Sequence, residues 1–193
     1  MLLFAVGTVY LFQLAFGALE PRLWNALFWI VLLFAATSGL SQAFRRELTY
    51  RYAYYHQLAP PLGLYAAKAV VNAGFLSALG FVVWGLLAVM FGNPVRAVGL
   101  FAITLTLASI GLSLVLTFLA AVAGRVANGP AITAVMAFPV VVPLLLTTVK
   151  LGAVALRLVQ QTSTLKDLTL LAAIDLLAVG LAILLVPVVW REA

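Results

Sequence analysis

The chain has 193 residues, 66% apolar and 8% charged, and a mean hydropathy of +1.21, which excludes an ordinary soluble globular domain and indicates an integral membrane protein. The net charge of +6 is carried by basic residues at the ends of apolar runs rather than in a block, a pattern of membrane orientation and not of nucleic-acid binding. With no cysteine, disulfides, thiolate metal sites, covalent heme attachment and Cys nucleophiles are excluded.

A crossing of the hydrocarbon layer takes about 20 residues. Apolar runs at 2–18, 24–43, 64–91, 97–122, 130–149 and 168–190 are each long enough, so the sequence predicts an all-α protein with six transmembrane helices in a single domain. No alternating ten-residue segments of a barrel are visible. The first run lacks the basic flank of a secretory signal, although Gly17 and Ala18 offer a weak cleavage reading; the missing flank suggests a chain that begins later than the full protein. Glu20-Pro21, Pro60-Pro61, Gly92-Asn93-Pro94 and Asn128-Gly129-Pro130 punctuate the connections.

Two connections are long. The segment 44–61 predicts an amphipathic helix, with Phe44, Leu48, Tyr52, Tyr55 and Ala59 on one stripe, Arg45, Arg46, Thr49 and Gln57 off it, and Glu47 one turn from Arg51. Its bland reading is an interfacial helix with tyrosines at headgroup level; the sharper one is a docking helix for a cytoplasmic partner. The segment 150–167 carries Lys150, Arg157, Lys166 and Asp167 around a partly apolar stretch. Six crossings put these segments on opposite faces. Charge bias divides almost evenly, with the cluster at 44–51 favouring a cytoplasmic location for that loop.

Within the spans, Ala102, Thr106, Ser109, Ser113, Thr117, Ala120 and Gly124 form a stripe of small residues suited to close helix packing. Pro139 and Pro143 each remove a backbone donor, so the fifth helix is expected to kink or break there, as a packing feature or as a hinge. Asp175 is flanked on both sides by apolar sequence, about two turns into the sixth span; the expectation is a structural or neutral carboxyl, paired with a basic residue of 150–166. Lys68 and Asn72, one turn apart, read as a snorkelling anchor and an interhelical hydrogen bond. The sole histidine, His56, makes a poor metal site, and Ser-His-Asp catalysis fails because His56 lies on a loop and Asp175 deep in a span. No lysine follows a glycine, so no phosphate-cradling loop exists; any ATP must be handled by another subunit.

The run Trp24 to Phe34, the Phe44–Tyr55 loop closing in Leu58-Ala59-Pro60, Ala67-Lys68 with Asn72, Phe91-Gly92-Asn93-Pro94-Val95, and Phe138-Pro139-Val140-Val141-Val142-Pro143 resemble the heme exporter protein B family. That family is the permease-like subunit of the cytochrome c maturation system, related to ABC-2 transporter membrane domains. The resemblance implies a six-helix ABC-2-type fold in the bacterial inner membrane with both termini cytoplasmic. It implies a non-catalytic subunit with no directly bound cofactor: ATP is hydrolysed by a partner, and heme is handled by the complex. Its implied partners are a cytoplasmic ATPase, a heme-handling membrane subunit, a small helper, a periplasmic heme chaperone and a second copy of itself. By the same resemblance, Phe44, Arg45, Arg46, Glu47, Leu48, Arg51, Tyr52 and Tyr55 dock on the ATPase, and 150–166 is an extracytoplasmic helical hairpin. The family's basic amphipathic segment before the first span has no counterpart in this sequence. A generic ABC-2 export permease for a lipid, drug or glycan would share the fold and docking helix; a secondary transporter or scaffold would need no ATPase, and its inverted repeats and paired carboxylates are not evident.

Overall fold

The computed structural model describes residues 2–40, 61–123, 129–160 and 163–191. They form six helices and, among the described residues, no strand: α1 (Leu2–Phe16), α2 (Pro21–Leu40), α3 (Pro61–Phe91), α4 (Val98–Ala123), α5 (Gly129–Ala155) and α6 (Thr164–Arg191). Pro21 and Pro61 occupy first helical positions, where a missing N–H costs nothing. Four of the helices contain stretches long and apolar enough to cross a membrane: Pro21–Gly39, Leu62–Phe91, Val98–Ala121 and Thr164–Pro187. The apolar stretches Leu2–Phe16 and Pro139–Ala155 are shorter.

The helices run antiparallel in sequence around α4, which packs against α2, α3, α5 and α6. α1 is peripheral and touches α2 and α3, leaving Leu3, Leu11 and Leu14 exposed. In a hydrocarbon surrounding, exposed leucines on outer helices are the expected face, and the bundle must instead be held by close approach and hydrogen bonds. Three glycines mark the closest approaches. A Cβ on Gly80 would meet Leu105 across the α3–α4 contact, one on Gly111 would meet Asp175 and Leu144, and one on Gly152 would meet the amides of Asn25 and the indole nitrogen of Trp29.

One end of the bundle gathers the connections 17–20 and 92–97 and residues 156–160. Here Phe101 is the centre of an aromatic cluster, with Phe28 at 5.0 Å, Trp84 at 4.9 Å, and Trp24 and Trp29 at 6.0 Å between ring centroids. Trp24, Phe28, Trp29 and Phe101 are buried. The backbone N–H groups of Arg96 and Ala97 both donate to the carbonyl of Ala155, at 3.1 and 2.9 Å, so the α3–α4 connection satisfies an orphan carbonyl at the end of α5. Asn93 holds that connection in shape by accepting from the N–H of Val95 at 3.1 Å. Helix α5 closes in a Schellman arrangement: Leu158 N–H donates to Ala153 O and Arg157 N–H to Val154 O, with Arg157 at φ 57° in the left-handed position that glycine usually fills.

The segment 150–166 is not a separate helical hairpin. α5 continues through Lys150 to Ala155, a turn follows, and α6 begins at Thr164. The charges that suggested an interface loop are accommodated within the helices, because Lys150 Nζ lies 2.9 Å from Asp167 Oδ1 and joins the end of α5 to the first turn of α6. α6 therefore starts four residues before the expected boundary. Helix α5 runs continuously through Pro139 and Pro143, as α6 does through Pro187.

Gly152→Val should therefore lower stability by about 1–3 kcal/mol, through overpacking against Asn25 and Trp29. Lys150→Ala should cost no more than about 1 kcal/mol, because the lysine side chain is 56% exposed. Thermal or denaturant unfolding of the purified chain in detergent measures both.

Candidate functional site

The polar residues inside the bundle fall into three groups, each positioned by a different helix pair. The first lies between α3 and α4, toward the start of α3. Tyr65 donates its hydroxyl to Leu114 O at 3.0 Å, Ser113 donates to Ala69 O at 2.8 Å, and Asn72 Nδ2 donates to Thr117 Oγ1 at 3.0 Å. Successive helical turns of α3 present Tyr65, Ala69 and Asn72, and the small-residue stripe of α4 presents Ser113 and Thr117. Ser109, Ser113 and Thr117 are fully buried and Ala120 nearly so, so this part of the stripe faces the interior of the bundle. Lys68 lies on the same stretch of α3 and is half-buried.

The second group joins α2 to the end of α5. Asn25, 2% exposed, donates Nδ2 to Val149 O at 2.8 Å and accepts from Trp29 Nε1 at 3.0 Å. Both ends of the amide are thus engaged, and the absence of a side chain at Gly152 gives it room. Sequence reasoning placed Asn25 in the aromatic run Trp24 to Phe34 without a role, because its partner Val149 lies far along the chain; an amide one turn before a tryptophan in an apolar span was the available signal.

The third is Asp175. Because α6 starts at Thr164, this carboxyl lies about three turns inside the helix, deeper than expected. It is 7% exposed and fits against Gly111 of α4 beside Leu144 of α5. Neither carboxyl oxygen has a hydrogen-bond partner among the described residues, and the hydroxyl of Ser109, two residues before Gly111 on α4, has none either. The expected pairing with a basic residue of 150–166 is not made: Lys150 pairs with Asp167 instead. An unpaired charge at this depth would be very costly, so the packing fits a neutral carboxylic acid far better than a carboxylate.

The residues expected to dock on a partner, Phe44, Arg45, Arg46, Glu47, Leu48, Arg51, Tyr52 and Tyr55, lie outside the described residues, as does His56. Pro139 and Pro143 lie within α5, and Thr147 donates its hydroxyl to Pro143 O at 2.8 Å one turn later. Among the described residues no three His, Cys, Asp or Glu side chains converge as a metal site. Among the described residues, the polar chemistry inside the bundle is hydrogen bonding between helices and the carboxyl of Asp175.

With a neutral acid at position 175, Asp175→Asn should leave the unfolding midpoint within a few degrees of the parent. Gly111→Val, which drives a side chain into the space of the carboxyl and Leu144, should cost about 1–3 kcal/mol. Parallel thermal melts in detergent distinguish this from a required carboxylate, for which Asp175→Asn would be the more damaging change.

Comparison with curated proteins and with solved structures gives no match. A family model described as CcmB protein matches residues 1–191, which includes every helix of the bundle. The chain belongs to the CcmB family, the heme exporter B membrane component of cytochrome c maturation, and is a multi-pass helical membrane protein of that system.

Proposed function

We propose that this chain is the six-span, ABC-2-type permease subunit of an ABC transporter complex in the bacterial inner membrane. In this reading it couples ATP hydrolysis by a partner subunit to heme delivery, or to release of the heme-loaded periplasmic chaperone. The observation that carries the reading is the family match over residues 1–191. The antiparallel order of the helices supports it. The end of α2 and the start of α3 lie at the end of the bundle opposite the aromatic cluster, and the proposed docking segment 44–61 joins them in sequence, so one docking event would act on both together.

The proposed docking residues are Phe44, Arg45, Arg46, Glu47, Leu48, Arg51, Tyr52 and Tyr55 on the cytoplasmic side. Closure of two ATPase subunits, one on each copy of a homodimer, displaces this segment. The bundle transmits the shift to the extracytoplasmic end, where the heme-handling subunit, the small helper and the heme chaperone are engaged. Pro139 and Pro143 supply compliance in α5, because each leaves a carbonyl without its helical donor. The subunit itself performs no bond chemistry and holds no cofactor; ATP belongs to the partner and heme to the complex.

Deleting the gene should abolish covalent heme staining of c-type cytochromes, whereas a generic export permease or a secondary transporter would leave staining intact. Complementation with the triple variant Arg45→Ala, Arg46→Ala, Glu47→Ala should lower ATPase co-purification and cytochrome c yield together, at least several-fold. Unchanged values of both would remove the docking role while leaving the family assignment standing.

A further inference from the structure

Five of the eleven basic residues stand at the end of the bundle that holds the aromatic cluster: Arg22, Arg96, Lys150, Arg157 and Lys166. Asp167 holds Lys150. The other four are exposed, with Glu20 as the one further acid in the sequence at this end. Each of the four lies within two residues of the limit of an apolar stretch: Pro21 for Arg22, Val98 for Arg96, Ala155 for Arg157 and Thr164 for Lys166. The hydrocarbon-compatible sequence therefore ends where these side chains begin, which sets them at the level of lipid headgroups.

Arg96 and Arg157 are held near one another by the backbone. The N–H of Arg96 donates to Ala155 O at 3.1 Å, and Arg157 follows Ala155 by two residues, so a path of standard bonds keeps the two Cα atoms within about 15 Å. Two side chains of that length can converge on one small group. Among the described residues no carboxylate pairs with either arginine. Arg157 also takes φ 57°, a left-handed conformation that costs an arginine energy and a glycine none. The turn itself gives no reason for an arginine there, and the reason for the guanidinium lies outside the turn.

We propose that Arg96 and Arg157 form a binding site for the phosphate of an anionic phospholipid in the leaflet at this end of the bundle. Guanidinium groups present planar forks of N–H donors that match phosphate oxygens, and an anion between two of them relieves their mutual repulsion. A zwitterionic headgroup brings its own ammonium to the phosphate, so an anionic lipid is the better occupant. The apolar neighbours decide between a lipid and an acidic protein segment. Leu23, Val98, Val159 and Leu165, each within two residues of one of the four cations, are exposed, so charged and apolar side chains alternate around this end. That mixture suits the boundary between headgroups and acyl chains, whereas a soluble acidic segment would leave the apolar residues uncovered.

The site is independent of the ATPase coupling proposed above, and its test does not use cytochrome maturation. The full chain, purified in mild detergent and incubated with equal amounts of phosphatidylglycerol and phosphatidylethanolamine, is examined by native mass spectrometry. Wild type should retain phosphatidylglycerol in several-fold preference, and Arg96→Gln and Arg157→Gly should each lose most of that preference. Arg157→Gly should also melt no lower than wild type, because glycine suits the left-handed position, which separates loss of lipid from loss of fold. Lys150→Gln removes the same charge from the same end, but from a lysine already held by Asp167, and should retain lipid as wild type does. Equal retention of the two lipids by wild type, or an unchanged preference in both arginine variants, overturns the proposal and leaves the pair to an acidic partner segment. An equal loss in Lys150→Gln overturns it in favour of net charge, and displacement of the lipid by excess inorganic phosphate overturns it in favour of the free anion.

Discussion

Helices surrounded by hydrocarbon gain little by hiding apolar side chains from one another, since the lipid is as apolar as they are. Cohesion must come from backbones that approach closely and from hydrogen bonds that no solvent competes for. The structure meets this constraint at a few places where one helix lacks a side chain and its neighbour supplies one. Leu105 enters the space at Gly80, Asp175 and Leu144 that at Gly111, and Asn25 with Trp29 that at Gly152. Two of these three contacts involve α4, which also touches every helix except the peripheral α1. Ser113 and Thr117 of α4 then serve a second purpose, because small polar side chains both permit the approach to α3 and bond across it.

The two ends of the bundle are built differently. Around Phe101 the aromatic rings of α2, α3 and α4 interlock, the α3–α4 connection bonds to the last carbonyl of α5, and Lys150 ties α5 to α6. The other half relies on discrete hydrogen bonds of Tyr65, Ser113 and Asn72. Dense, interlocked packing transmits a displacement as a rigid unit, whereas a contact made of a few directional bonds has alternative partners one turn away.

Much of the architecture is readable from apolar run length and helix punctuation alone. Pro21 and Pro61 mark helix starts, and Gly17 and Gly92 adopt positive φ where α1 and α3 end. Boundaries fail where charge is taken as a sign of an interface loop. Lys150 and Asp167 neutralise one another across α5 and α6, so both helices extend past the limits that isolated charges suggest. The prolines of α5 stand inside a continuous helix. Asp175 could be picked out from its apolar flanks, but its neighbour could not: the partner position is a glycine, and the missing side chain of Gly111 leaves no pattern in sequence. The same holds for Asn25, whose contacts with Val149 and Gly152 depend on the packing of α2 against α5.

Asp175 lies where these themes meet. It sits on α6, faces α4 at the level where α4 changes from the aromatic half to the hydrogen-bonded half, and has Leu144 of α5 beside it. A leucine at position 175 would satisfy an apolar contact, so burial alone does not call for an acid there. A compact side chain fits under Gly111 where a bulkier aliphatic one would press harder on Leu144. The cost of leaving both oxygens unpartnered in the present arrangement raises the energy of that arrangement relative to one in which they are satisfied. A buried acid whose oxygens have no partner among the described residues therefore ties α6 to α4 less firmly than a hydrogen-bonded side chain would.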